Sequence, residues 1–179
     1  GRRPGKAAAR WASPSSGWSE QVAKTSLPPG ARRWAAAAEV VEADATAWDA
    51  GGALFDAVLL DAPCTATGTI RRHPDVPYLK RFRDIPPMAD LQRKLLAAAA
   101  QRLAPGGRLV FATCSLQPEE GEAHLAAALP GLRPVPVRPE EVPGLAHMIV
   151  PGGALRARPD YWPELGGMDG FFIARWMKL

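Results

Sequence analysis

From residue 39 onward, the apolar positions follow two periods. Residues 54–60 (LFDAVLL) and 108–113 (RLVFAT) are short, mostly apolar runs, one ending at Asp61 and the other at Cys114-Ser115. Such runs predict buried parallel strands. Between them Leu91, Leu95, Leu96, Ala99 and Leu103 recur at spacings of three and four, which predicts a helix over 88–103. Pro105-Gly106-Gly107 stops it. Residues 118–129 predict a second helix, with a proline in the first turn and Glu119, Glu120 and Glu122 early, where the helix dipole favours negative charge. Residues 39–43, 145–150 and 171–177 are further strand candidates. This order of elements predicts an α/β sandwich with a mostly parallel sheet. In such sheets ligands sit beyond the carboxyl ends of the strands, here at Asp44, Asp61 to Cys64, and Cys114.

Residues 1–38 have no period, and Pro4, Pro14, Pro28 and Pro29 interrupt any helix there. The chain therefore divides into an irregular segment, 1–38, and a folded domain, 39–179. Charge divides at the same place. The first segment holds seven basic side chains and one acidic, so the net charge of +4 leaves −2 for the remainder. A basic segment of this kind meets nucleic acid or is simply a solvated tail. The two cysteines lie far apart in sequence, no signal-peptide pattern is present, and no run of ~18 apolar residues occurs. A cytoplasmic chain with free thiols and no membrane association is expected, and a monomer is expected.

Both cysteines directly follow predicted strands, in Asp61-Ala62-Pro63-Cys64 and Thr113-Cys114-Ser115. If the strands are parallel neighbours, both thiols face one crevice. An isolated cysteine is more often a small buried hydrophobe; two at the same end of two strands, one beside an acid, point to chemistry. A thiolate can add to carbon 6 of cytosine and make carbon 5 nucleophilic toward an electrophilic methyl group. A second ionisable group then serves removal of the carbon-5 proton and release of the thiol.

The run from Leu59 to Asp75, LLDAPCTATGTIRRHPD, resembles the fourth motif of the Sun/Fmu-like (RsmB) family of RNA 5-methylcytosine methyltransferases. Thr113-Cys114-Ser115 with Pro118-Glu119-Glu120 resembles that family's sixth motif, and residues 168–174 (MDGFFIA) resemble its C-terminal signature. The resemblance covers about residues 39–179. It implies a Rossmann-like class I methyltransferase fold, a three-layer α/β/α sandwich, with S-adenosyl-L-methionine as cofactor and RNA, by resemblance ribosomal, as partner. It implies that Cys114 is the nucleophile and that Cys64 assists proton removal and product release. It places Asp61 against the cytosine and near the methyl donor, and Asp44 near the donor's adenine. DNA cytosine methyltransferases use the Pro-Cys cysteine as nucleophile instead; the Thr-Cys-Ser motif favours the RNA type. Arg71, Arg72 and His73 either grip RNA phosphates or are solvated loop charge, and Lys80, Arg81 and Arg83 extend that choice. Phe171 and Phe172 read as core of the last strand rather than as base-stacking platforms. No metal is implied, and no metal-ligand cluster occurs.

The family's glycine-rich donor-binding turn has only Arg3-Pro4-Gly5-Lys6 as a counterpart, with no apolar strand before it. The expectation is therefore an incomplete domain whose N-terminal strand or strands are missing or degenerate, with lowered stability. The rival reading is a catalytically inactive remnant that has lost the donor site and at most binds RNA.

Overall fold

A computed structural model of the chain describes residues 41–179. Its sheet contains β1 (Phe55–Asp61), β2 (Leu103–Thr113), β3 (Leu132–Pro134), β4 (Leu155–Ala157) and β5 (Phe171–Lys178). The order is β1-β2-β5-β3, with β4 also pairing to β5. The helices are α1 (Val76–Leu79), α2 (Ile85–Gln101) and α3 (Glu122–Ala126). None is long and apolar enough to cross a membrane.

The α/β class is as expected, but the sheet is less parallel than the sequence predicts. Among the described residues only β1 and β2 pair in parallel, while β5 runs antiparallel to β2, β3 and β4. One face of the sheet carries the core. Val58, Leu109 and Trp176 lie opposite one another across three strands, as do Leu60, Phe111 and Ala174, and all six are buried. Leu95, Leu96, Ala99 and Ala100 of α2 close over them, and His124 of α3 meets the edge of the Phe111 ring on the same side. The opposite face, with Ala57, Leu59, Val110 and Ile173, stays half-buried or exposed. Both longer helical elements thus lie on one face, and the other outer layer of the expected sandwich is not among the described residues.

Several boundaries differ from the sequence reading for local reasons. Helix α2 starts three residues early, because Pro86 and Pro87 fall in its first turn, where their missing N–H groups cost nothing. It ends before Leu103, which already pairs with Phe55 in β2. Residues 104–107 then bulge out opposite a single residue of β1, with Gly106 in the left-handed region. The helix expected over 118–129 is a 3-10 turn, Pro118–Glu120, followed by the five residues of α3. Gly121 breaks it at φ −139°, ψ −93°. A Cβ there would lie 2.6 Å from Arg156 Nη2 and 2.9 Å from the Phe172 ring, so the guanidinium stacked on that ring leaves room only for glycine.

The strand expected over 145–150 is a 3-10 turn, Ala146–Met148, with one bridge from Ile149 to Leu155. Pro143 and Pro151 bracket it, and neither can donate to a ladder. Of the strand expected over 39–43, residues 41–43 have no regular structure and the rest lies outside the described residues. The segment 1–38 lies outside them as well.

Candidate active site

Parallel pairing of β1 with β2, Asp61 opposite Ala112, puts the carboxyl ends of both strands on one side. Thr113 ends β2, and Cys114 follows at once; Cys64 stands three residues beyond the end of β1. The two thiols, distant in sequence, meet with Cys64 Sγ 3.4 Å from Cys114 Sγ, both half-buried and both free. The contact separates their acidities. The Cys64 S–H directed at the Cys114 sulfur favours its thiolate and lowers the Cys114 pKa below the ordinary thiol value. The Cys64 pKa is raised, first by that same contact and then by burial. Asp61 is exposed at the end of β1, and its charge opposes ionisation of Cys114.

Behind the thiols lies a buried polar network. Glu120 is fully buried, and four donors converge on its carboxylate. Oε1 accepts from the Thr65 N–H (2.9 Å) and Gln92 Nε2 (3.2 Å); Oε2 accepts from the Thr65 and Ser115 hydroxyls, both at 2.5 Å. Gln92 Nε2 also donates to the Pro63 carbonyl at 2.7 Å. Its carbonyl oxygen is then the acceptor for His124 Nε2 at 2.8 Å, which assigns the ring proton to that nitrogen. Burial, with help from the Arg93 charge, pushes the His124 pKa down to about 4, so the ring is neutral. On the other side, Arg156 donates from Nη1 to the Ser115 carbonyl at 2.5 Å while pairing with Glu122.

The third sequence motif joins the same site. The Gly68 N–H donates to the Cys114 carbonyl at 2.9 Å, and the Gly170 N–H donates to the Gly68 carbonyl at 2.7 Å. A Cβ on Gly68 would lie 2.1 Å from the Gly170 carbonyl oxygen, so the approach of these two loops requires glycine. Asp169, next in line, receives Arg72 Nε at 2.6 Å, with Arg71 at 3.6 Å. The two arginines singled out for phosphate contact are thus anchored by one carboxylate, and the pKa of Arg72 is raised by it. His73 is exposed, with its backbone N–H bonded to the Thr69 carbonyl.

Asp44 is exposed in a turn, not at a strand end. Its carboxylate accepts from the Thr46 N–H and hydroxyl at 2.8 and 2.7 Å, which lowers its pKa. Phe172 is fully buried in β5, as expected. Glu120, Gln92, His124 and Arg156 are the contributors that sequence reasoning misses. The available signal is the position of Gln92 on the apolar face of α2, among Ala89, Leu95, Leu96 and Ala99.

The chain is similar to known methyltransferases over most of its length. A Sodalis glossinidius ribosomal RNA small subunit methyltransferase B is 43% identical over 146 residues, covering 79% of this chain and 30% of that protein. The Vibrio cholerae protein of the same description is 45% identical over 126 residues, 69% of this chain and 26% of its own. The chain therefore spans less than a third of the length of these relatives. The crystal structure of NSun6 from Pyrococcus horikoshii with SFG superposes with a TM-score of 0.63 at 29% identity, covering 78% of this chain and 34% of that one. The family model described as 16S rRNA methyltransferase RsmB/F matches residues 24–177, a match that begins inside the segment set apart above. With the two cysteine turns in contact and the 168–170 loop hydrogen-bonded to them through Gly68, this chain belongs to the RsmB/F family of 16S rRNA methyltransferases.

Proposed function

We propose that the site methylates carbon 5 of cytosine in RNA, ribosomal RNA by family, with Cys114 as nucleophile. The observation that carries this reading is the 3.4 Å contact of two thiols beyond the ends of adjacent parallel strands, with acidities pushed apart. The Cys114 thiolate adds to carbon 6 of the base, and the electron pair released into the ring makes carbon 5 nucleophilic. Bound S-adenosyl-L-methionine supplies an electrophilic methyl group at that carbon. After transfer the carbon-5 proton passes to water, the electron pair of that bond expels the Cys114 thiolate from carbon 6, and Cys64, held as a thiol, assists the release by directing its S–H to the departing sulfur. Asp61, exposed beside the thiols, orients the cytosine and faces the donor.

This reading sets the donor against Asp44 and Asp61. Asp44 and Asp61 are exposed acceptors, as ribose hydroxyls and a sulfonium charge require. SFG, an analogue of S-adenosyl-L-methionine, accompanies the Pyrococcus relative.

In this reading RNA runs over the connection from β1 to α2, which leaves the carboxyl edge of the sheet. Arg71 and Arg72 stand there, fixed by Asp169. Tyr78 and Phe82, 86% and 87% exposed, alternate with the exposed cations Lys80, Arg81 and Arg83. Rings for stacking among cations for phosphates suit single-stranded RNA.

The test is to incubate the Cys64→Ala variant with cytosine-containing RNA and S-adenosyl-L-methionine. A denaturation-resistant protein–RNA adduct is expected, mapped to Cys114 and absent from a Cys64→Ala/Cys114→Ala variant. No adduct from a folded sample would favour the inactive remnant.

A further inference from the structure

We infer that Glu120 is the positioning residue that sets the contact between the two thiols. It holds the residue following each cysteine: Thr65 through its N–H and hydroxyl, and Ser115 through its hydroxyl. The carbonyl preceding Cys64, that of Pro63, is tied to the same carboxylate through Gln92, and Gln92 is itself fixed by neutral His124. The Cys64 turn is thus gripped on both sides, and the Cys114 turn is joined to it through one pair of oxygens. The Thr65 N–H and the Gln92 amide can only donate to that pair and the two hydroxyls donate to it at 2.5 Å, so a carboxylate accepts from all four at once, whereas an amide accepts at one atom only and would have to reverse both hydroxyls.

A buried carboxylate held by four uncharged donors costs the fold desolvation energy that apolar packing would avoid. Its position between the two cysteine turns is what that cost maintains. Glu120 touches neither thiol through a hydrogen bond; it acts through the backbone turns that carry them. Its own negative charge opposes ionisation of both cysteines, but this is the smallest of the influences on each. The largest on Cys114 is the contact with Cys64. Position and charge therefore push Cys114 in opposite directions, and the sign of the response separates them.

The consequence for catalysis rests on the proposed function, but the test needs neither RNA nor donor. Iodoacetamide alkylation of Cys114 is followed by mass spectrometry across pH in the wild type, in Glu120→Gln and in Cys64→Ala, which defines the behaviour without the contact. Exposed Glu119→Gln serves as the control. In Glu120→Gln, Cys114 is expected to react roughly tenfold more slowly near neutral pH, with its midpoint moved up toward that of Cys64→Ala, because the thiolate loses its donor. A midpoint that moves down means Glu120 acts through its charge, and an unchanged midpoint with a lower melting temperature means it only supports the fold. Either result overturns the inference. Thr65→Val removes one hydroxyl from the same carboxylate and is expected to shift Cys114 in the same direction by less. If Glu120→Gln does not fold, an unshifted Thr65→Val overturns it equally.

Discussion

Acidification should weaken this fold through His124 specifically. The ring is 1% exposed, packs edge-to-face with Phe111 at 5.3 Å between centroids, and donates to Gln92. Its surroundings are Arg93, which repels a second positive charge, and Glu120, which is already occupied by four donors. Its pKa is about 4 in the folded chain against 6.5 for an unperturbed histidine. Between those values the unfolded chain binds more protons than the folded one. The contribution of neutral His124 is therefore fully present above about pH 6.5 and is lost as pH falls toward 4. The difference corresponds to about 3 kcal/mol. Urea unfolding of the wild type and His124→Gln, between about pH 7 and pH 4.5, reads this directly, since carboxylates titrate alike in both chains. The wild type should lose about 2–3 kcal/mol more than the variant over that range. Curves parallel to within about 0.5 kcal/mol would refute the reasoning.

Three further outcomes test the packing and the surface. Gly121→Ala drives a methyl into the Arg156–Phe172 stack and should cost about 1–3 kcal/mol in chemical unfolding, with loss of the Arg156 bond to the Ser115 carbonyl. Gly68→Ala meets backbone rather than a movable side chain, so it should separate the 168–170 loop from Cys114 and speed amide exchange at Gly170. Tyr78→Ala/Phe82→Ala should leave the melting temperature unchanged and weaken binding of a labelled single-stranded RNA by roughly tenfold or more, since each stacked base contributes about 1–3 kcal/mol.

The elements that depend on local pattern are legible in the sequence. The runs at 54–60 and 108–113 form the paired strands β1 and β2, and the face of Leu91, Leu95, Leu96 and Ala99 forms α2. The two cysteines announce themselves by following strands directly, and parallel pairing brings them together. What the sequence hides are requirements imposed by distant chain. Gly121 reads as an ordinary helix position until Arg156 and Phe172 are placed against it. Glu120 reads as one of three acids in a helix's first turn, within the sixth-motif match, and its burial follows only from Thr65 and Ser115 converging on it. Arg71 and Arg72 read as free cations, whereas Asp169, from the C-terminal motif, holds them. The strand expected at 145–150 fails because its apolar composition is overruled by the prolines on either side, which turn the chain before a ladder can form.

The central claim is that contact between two thiols divides them into a reactive thiolate, Cys114, and a retained thiol, Cys64. Site-resolved alkylation of the wild-type chain at neutral pH, with each cysteine followed separately by mass spectrometry, tests it most directly. The account predicts that Cys114 is modified first, by roughly tenfold or more in rate. Equal rates, or Cys64 reacting first, would contradict it.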